Sequence, residues 1–184
     1  MHSKISMQRK LLLDEKLLNI TMHRLGQQLI ENYEDFDNTI LIGLQPRGTF
    51  LVDYLKSSLE EMTGKKIITG YLDTTFHRDD FRRREKPVKA YATKIPVLLE
   101  NKNVIIIDDV LYTGRSVRAA LDAMITFGRP KKVELLVLVN RKYSRELPIE
   151  PHYVGTSVHT LKSQRVIVEL KAQGFKKDSI WLAT

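Results

Sequence analysis

The sequence predicts an α/β protein built on an open, mainly parallel twisted sheet flanked by helices. Three apolar runs, TILIGL, VIII and KVELLVLV, have the composition of strands that are buried on both faces. Segments with helical spacing of apolar residues separate these runs, as in βαβ units. The 184 residues contain no repeat, low-complexity tract or linker, which indicates a single domain spanning 1–184.

Composition narrows the class of protein. Hydrophobic residues make up 42% and charged residues 28%, as in ordinary soluble proteins. The chain contains no cysteine, which excludes disulfides and thiolate-bound zinc. The first apolar cluster is far shorter than the ~20 residues of a membrane span, and the start resembles no secretory signal, so we expect a cytoplasmic protein. A net charge of +8 favours phosphorylated or polyanionic partners, although a basic surface kept for solubility explains it equally well.

The first half of the chain predicts two helices and two strands. Leu12–Tyr33 has the spacing of an amphipathic helix, and Thr39–Leu44 reads as a buried strand. A second helix is predicted over Phe50–Met62, with Gly64 at its end. Lys66–Leu72 is rich in β-branched residues and predicts another strand.

The second half begins with an irregular, charged stretch. DTTFHRDDFRRREKPVK has no assignable period and predicts a loop or a mobile hairpin. Val104–Ile107 is the strongest strand of the chain, and Ser116–Phe127 predicts the helix that follows it. Two further strands are predicted at Lys132–Val139 and Val166–Leu170.

Two adjacent aspartates follow the strongest strand. Asp108 and Asp109 therefore lie at the edge of an open α/β sheet where ligands usually bind. Carboxylates can accept hydrogen bonds from the vicinal hydroxyls of a sugar, or help to hold a hydrated divalent cation. The plainer alternative is that Asp109 only caps the next helix, with Thr113 and Ser116 completing the cap.

The five residues Tyr112–Ser116, here called the phosphate loop, precede the predicted helix. Free backbone N–H groups and the helix dipole favour an anion at such a position. Thr113 and Ser116 add hydroxyl donors, Gly114 permits close approach, and Arg115 adds positive charge. An acidic pair beside a phosphate loop predicts a sugar phosphate ligand, in preference to simple capping.

The segment IIIDDVLYTGRSV resembles the phosphoribosyl-pyrophosphate-binding motif of type I phosphoribosyltransferases. Within that fold the chain most resembles the PyrR family, pyrimidine-operon regulatory proteins that also have uracil phosphoribosyltransferase activity. The further matching segments LIGLQPRGTFL, HRDD, RELPI and VGTSVHTLKSQRV follow in order. The resemblance runs from about Leu13 to Leu170 and implies one phosphoribosyltransferase domain with a small hood and a flexible catalytic loop.

The resemblance also implies roles for individual residues. Arg78, Asp108 and Asp109 are expected to be catalytic. The resemblance places Arg78 on the flexible loop around Arg78-Asp79-Asp80. It also implies that Arg78 and Arg47 bind the pyrophosphate. Arg141 is expected near the pyrophosphate or the base, and the backbone at Val166 near the uracil edge. The complete set implied to bind substrate is Pro46, Arg47, Gly48, Asp108, Asp109, Val110, Leu111, Tyr112, Thr113, Gly114, Arg115, Ser116, Arg141 and Val166.

The expected ligands are phosphoribosyl pyrophosphate, uracil and UMP or UTP, with Mg²⁺ held mainly by the substrate rather than by a protein cage. A homodimer or homotetramer without membrane contact is also expected. A second hypothesis is a regulator that binds pyrimidine-operon mRNA, with or without an enzymatic role, and a third is a purine or orotate transferase of the same fold. The cations suggested for RNA phosphates are Arg24, Lys142, Arg145, Lys162 and Arg165.

Overall fold

In a computed structural model of the chain, residues 8–33, 35–79 and 90–184 are described. The main sheet contains five parallel strands in the order β3-β2-β4-β5-β6, and a smaller antiparallel sheet has the order β1-β8-β7. The strands are β1 (Arg9–Leu13), β2 (Thr39–Leu44), β3 (Ile68–Leu72), β4 (Asn103–Leu111), β5 (Lys132–Lys142), β6 (Tyr153–His159), β7 (Arg165–Glu169) and β8 (Ser179–Ala183). The α-helices are α1 (Glu15–Asn32), α2 (Gly48–Thr63) and α3 (Arg115–Met124).

The predicted fold class is confirmed: a parallel sheet carries helices on both faces. Strand β4 shows why, since Ile105 and Ile107 pack on the side of α1 and α2, whereas Val104 and Ile106 pack on the side of α3. This alternation is the two-residue period of a strand, and both faces are apolar because both are covered. Burial of each such aliphatic side chain contributes about 2 kcal/mol to the stability of the fold.

The strand order places a ligand crevice between β2 and β4. The chain goes from β2 outward to β3, then crosses back to β4 and continues to β5 and β6. In a doubly wound sheet of this order, the connections after the two strands at the switch point diverge to opposite faces and leave a gap at the carboxyl edge. The turn after β2 and the turn after β4 therefore flank the same crevice.

Several predicted elements have different bounds in the structure. Leu12 and Leu13 belong to β1 rather than to the first helix, which begins after the N-cap Asp14; its carboxylate accepts from Leu17 N at 2.8 Å. Strand β4 continues through both aspartates to Leu111, because its pairing with β5 continues beyond them. The second helix ends as predicted, at Gly64 with φ +67°.

The carboxyl-terminal part differs most from the prediction. Arg141 lies within β5 rather than after it, because β5 pairs with β6 as far as Lys142. Strand β6 was not predicted. The predicted strand at Val166 belongs to the small sheet, where it pairs with β8, and not to the parallel sheet. No helix within the described ranges has the length and apolarity to cross a bilayer.

Candidate active site

The acid pair lies at the carboxyl end of β4, inside the crevice. Asp109 is 3% exposed, and Asp108 is half-buried. Each carboxylate accepts a hydrogen bond from the next backbone N–H: Asp109 N donates to Asp108 Oδ1 at 2.9 Å and Val110 N to Asp109 Oδ1 at 2.8 Å. Each carboxylate is thus held in a fixed orientation by the backbone of the strand.

Burial and mutual repulsion make this pair electrostatically costly. Burial and the neighbouring Asp109 carboxylate raise the pKa of Asp108 well above its usual range. Burial also raises the pKa of Asp109, although the Arg47 guanidinium acts in the opposite direction. Arg47 Nε lies 2.7 Å from Asp109 Oδ2, yet this buried oxygen has no well-aligned hydrogen-bond donor among the described residues. Asp109 Oδ2 therefore keeps unused acceptor capacity beside Arg47.

The turn Gln45–Gly48, here called the Arg47 loop, follows β2 and faces the acid pair. Gly48 starts α2 so close to β4 that a β-carbon there would lie 2.3 Å from Ile107 O. Thr49 Oγ1 donates to Pro46 O at 2.8 Å and closes the turn, while Pro46 and Arg47 are exposed. The arginine is thereby placed at the crevice by a glycine that nothing larger can replace without moving backbone.

The phosphate loop connects β4 to α3 as predicted. Gly114 has φ +92°, a conformation that favours glycine, and α3 begins at the next residue. The loop lines a cavity of about 120 Å³ together with Arg78, Asp108, Val110 and Leu111. Backbone donors of a helix start, two hydroxyls and a carboxylate therefore share one small, polar space.

The segment before residue 80 packs on the phosphate loop. Arg78 Nη1 donates to Ser116 Oγ at 3.1 Å, and Asp79 forms an ion pair with Arg115, which also pairs with Glu146 at 2.7 Å. Arg78 thus lies beside the site expected for the 5′-phosphate, and its role at pyrophosphate stays a prediction. Asp80, the other acidic residue of the predicted catalytic loop, lies outside the described residues.

Arg141 connects the phosphate loop to the segment before β7. Its side chain is buried, with its guanidinium stacked on the ring of Tyr112. The same guanidinium donates to Thr160 Oγ1 at 2.9 Å and to Gln164 O at 2.9 Å. The donors of Arg141 are therefore largely engaged within the protein, which favours a structural link over direct contact with substrate.

Val166 lines a second cavity, between the Arg47 loop and the small sheet. This cavity has a volume of about 570 Å³, and Arg47, Ser163 and Arg165 also line it. It places the start of β7 opposite Arg47, and the expected role of Val166 at the uracil edge stays a prediction.

The five cations suggested for RNA fall into two groups. Lys142, Lys162 and Arg165 are exposed. Arg24, although also exposed, donates to the main-chain oxygens of Val154 at 3.1 Å and Gly155 at 2.5 Å. It thereby ties α1 to the edge strand β6.

Arg145, the remaining cation of that set, makes internal hydrogen bonds around the phosphate loop. These bonds are mainly to main-chain oxygens and leave Arg145 poorly placed for RNA phosphates. These internal contacts of Arg145 were not predicted from the sequence, and neither were those of Asn140, Thr160 and Gln164. Two matching segments cover most of these positions: RELPI contains Arg145, and VGTSVHTLKSQRV contains Thr160 and Gln164.

The chain is similar to a known domain family and to several named proteins. Residues 9–173 match the phosphoribosyl transferase domain. A protein of Halalkalibacterium halodurans named bifunctional protein PyrR is 40% identical over 164 residues, covering 88% of this chain and 90% of the relative. Proteins of the same name from Bacillus subtilis (39% over 166 residues, 89% and 91% covered) and Elusimicrobium minutum (43% over 164 residues, 88% and 90% covered) are also similar.

Solved structures with similar folds include two enzymes. A hypoxanthine phosphoribosyltransferase of Staphylococcus aureus has a TM-score of 0.65 at 20% identity, covering 91% of this chain and 86% of that one. A hypoxanthine-guanine phosphoribosyltransferase of Bacillus anthracis has a TM-score of 0.64 at 17% identity, covering 86% of both chains. At these identities the likeness concerns the fold alone.

Proposed function

This chain belongs to the phosphoribosyl transferase domain family and, within it, to the bifunctional PyrR proteins, and we propose that it transfers phosphoribosyl groups to uracil. The substrates are uracil and phosphoribosyl pyrophosphate, and the products are UMP and pyrophosphate. The resemblance drawn from the sequence is confirmed at the level of family and fold. The choice of uracil rests on the sequence resemblance to PyrR proteins.

One observation supports the phosphoribosyl part of the proposal most strongly. Asp108 and the phosphate loop line the same small cavity at the switch point of the sheet. A ribose 5-phosphate needs hydroxyl acceptors and a phosphate site only a few ångströms apart, and both are present here. Arg47, beside Asp109, supplies positive charge on the side of the departing pyrophosphate.

The proposed chemistry requires no covalent intermediate with the protein. The bond between ribose C1 and the pyrophosphate oxygen breaks, and a bond from C1 to N1 of uracil forms as N1 loses its proton. Positive charge that develops on the ribose is stabilised by the carboxylates of Asp108 and Asp109, which also hold its hydroxyls. The phosphate loop fixes the other end of the sugar, so that positioning and charge supply most of the acceleration.

The donor set also fits Mg²⁺ carried by the substrate. Asp108 and the buried Asp109 Oδ2, which has no aligned donor among the described residues, can accept hydrogen bonds from water molecules of a hydrated cation. When bound, the cation would neutralise charge on pyrophosphate.

The proposal is tested by incubating the protein with uracil and phosphoribosyl pyrophosphate and measuring UMP and pyrophosphate. Asp108→Asn combined with Asp109→Asn is expected to abolish transfer while the thermal unfolding transition stays cooperative. Asparagine keeps the shape of aspartate but removes the charges that stabilise the ribose cation. Full activity in the folded double variant would contradict the proposed roles of the pair.

A second function, regulation by binding pyrimidine-operon mRNA, is supported by the name bifunctional that the relatives carry. The net charge of +8 and the exposed Lys142, Lys162 and Arg165 are compatible with it. We expect affinity for leader RNA to fall with salt and to depend on UMP or UTP. Combined alanine substitution of the three cations should make the affinity for RNA less dependent on salt concentration. Absence of RNA binding at low salt would contradict this second function and leave only the enzymatic one.

We also propose one phosphoribosyltransferase domain over 1–184, a cytoplasmic location, and assembly as a homodimer or homotetramer. Sedimentation equilibrium of the full chain would test the assembly, and a monomer would contradict it. A purine or orotate transferase is the remaining alternative, because the phosphate loop does not contact the base.

A further inference from the structure

Arg145 contacts the start of the phosphate loop and the residue before it through their main-chain oxygens. Its Nη1 donates to Tyr112 O and, at 3.4 Å, to Leu111 O. Its Nε donates to Ile149 O at 3.0 Å, and Nη2 donates to the side chain of Asn140 on β5. One half-buried guanidinium thus joins the loop, strand β5 and the segment that follows it.

The residues next to Arg145 continue the same contact. Glu146 N donates to Thr113 O at 3.0 Å, and Leu147 N donates to the same oxygen at 3.3 Å. A β-carbon at Gly114 would lie 3.5 Å from Leu147 Cβ and 3.3 Å from the end of Ile149, so this segment packs directly against the loop. The oxygens of three consecutive residues, 111 to 113, are therefore all directed at residues 145–147.

The direction of those oxygens determines where the N–H groups of the loop point. In a planar trans peptide, the C=O of one residue and the N–H of the next point in opposite directions. Carbonyls of residues 111–113 directed at Arg145 and its neighbours place the N–H groups of residues 112–114 on the other side. Residues 112–114 line the cavity proposed to receive the 5′-phosphate, and successive N–H groups on one side form an anion-binding concavity.

We propose that Arg145 is a positioning residue for this reaction: it holds the carbonyls of the phosphate loop away from the ligand so that the loop N–H groups face the 5′-phosphate. This inference rests on the proposed function. Without Arg145 the peptide units after Leu111 and Tyr112 can rotate, and a rotated peptide presents a carbonyl oxygen to the phosphate. Arg145 acts through the loop and does not contact substrate.

Lysine cannot replace this arginine. The guanidinium presents donors in a rigid fork, which here reaches four backbone oxygens and an amide oxygen in different directions. A lysine ammonium keeps the charge but concentrates its donors at one point. Arg145→Lys therefore separates the geometric effect from the loss of positive charge, and Arg129→Lys, at an exposed position in the turn before β5, is the matched control.

The experiment measures binding of two probes, ribose 5-phosphate and pyrophosphate, by calorimetry with the full-length protein. Arg145→Lys is expected to raise the Kd of ribose 5-phosphate about tenfold, the effect of losing roughly one well-aligned hydrogen bond to the anion. The Kd of pyrophosphate, which is proposed to bind at the Arg47 loop, should stay within about twofold. In turnover assays, the KM for phosphoribosyl pyrophosphate should rise more than kcat falls.

Three results would overturn the inference. An unchanged Kd for ribose 5-phosphate would show that the loop keeps its geometry without Arg145, and an equal loss of both probes would show a general structural defect. Reduced affinity for leader RNA with unchanged probe binding would assign Arg145 to RNA instead. Failure of the wild-type protein to bind ribose 5-phosphate would be a different result, because it removes the proposed function together with the inference.

Discussion

Arg141 stacks on Tyr112, with the guanidinium carbon 3.8 Å from the centroid of the ring. The two residues come from different parts of the site: Tyr112 begins the phosphate loop, and Arg141 lies near the end of β5. Because Arg141 also binds Thr160 and Gln164, it joins the phosphate loop to the segment that leads into β7 and Val166. The phosphate end and the proposed base end of the site are thus connected through one side chain.

Replacement of Arg141 by lysine is expected to weaken use of the base more than use of the phosphorylated sugar. Lysine keeps the charge over Tyr112 but loses the forked bonds to Thr160 and Gln164, so the backbone near Val166 is less firmly held. We expect kcat/KM for uracil to fall about tenfold. Steady-state kinetics with each substrate varied in turn would measure kcat/KM for both. An equal fall for uracil and for phosphoribosyl pyrophosphate would contradict the proposed role of Arg141 in holding the base end of the site.

Neutralising Asp108 is expected to stabilise the ligand-free protein while it impairs transfer. Burial and the adjacent carboxylate raise the pKa of Asp108, so its charge is unfavourable in the folded state. Asp108→Asn keeps the oxygen that accepts from Asp109 N and should raise the free energy of unfolding by about 1 kcal/mol. Urea unfolding without ligand would measure this, with the exposed Asp35→Asn as control. A loss of stability at Asp108 would contradict the electrostatic account.

Gly48 is expected to tolerate no side chain. A β-carbon at this position would lie 2.3 Å from Ile107 O, so Gly48→Ala must push α2 and the Arg47 loop away from β4. We expect a loss of about 3 kcal/mol in unfolding free energy, together with a higher KM for phosphoribosyl pyrophosphate. Gly64→Ala is the control: it has φ +67° and open space around it, and should cost only about 1 kcal/mol with full activity. Wild-type stability of Gly48→Ala would contradict this packing.

Glu134 is expected to contribute stability that is lost in acid. This carboxylate is 5% exposed, and it accepts from Tyr33 at 2.6 Å and Tyr153 at 2.8 Å and pairs with Lys132. Burial alone would raise the pKa of Glu134, but the bonds to Lys132 and the two tyrosines outweigh it, and the pKa is lowered. Because the folded-state pKa lies below the unfolded value, the charged carboxylate stabilises the fold at pH values above the ordinary carboxyl pKa. This stabilisation is lost as the pH falls through the folded-state pKa.

Glu134→Gln should therefore cost about 1–3 kcal/mol at pH 7, since a buried charged acceptor with three partners is removed. Its unfolding free energy should also fall less than that of the wild type between about pH 5 and pH 3. The exposed Glu31→Gln is the matched control. An unchanged pH dependence in Glu134→Gln would contradict the lowered pKa.

Local patterns in the sequence were sufficient for four of the five strands of the parallel sheet, β2 to β5, and for the acid pair with the loop that follows it. Thr39–Leu44 has the predicted bounds because its apolar run and the turn after it are local signals. Asp108 and the phosphate loop line one cavity because they are neighbours in the chain. Arg47 reaches Asp109 because the carboxyl ends of parallel strands share one edge.

Features that depend on distant partners were not predictable in the same way. Strand β1 exists because it pairs with β8 in the distant segment Ser179–Ala183, so the local pattern at Leu12 and Leu13 reads as the start of a helix. In the sequence Arg24 and Arg145 resemble ordinary surface cations. Their partners, however, include main-chain oxygens whose positions only the tertiary fold determines. For the same reason the bonds from Arg141 to Thr160 and Gln164 could not be predicted, and its expected role near the substrate stays a prediction.

The central claim, phosphoribosyl transfer to uracil, is tested most directly by one assay that offers four bases in parallel. The purified chain is incubated with phosphoribosyl pyrophosphate, Mg²⁺ and either uracil, hypoxanthine, guanine or orotate, and nucleotide and pyrophosphate formation are measured. We expect UMP and pyrophosphate in equal amounts from uracil, with no more than trace turnover of the other three bases. Efficient turnover of hypoxanthine, guanine or orotate with none of uracil would contradict the claim.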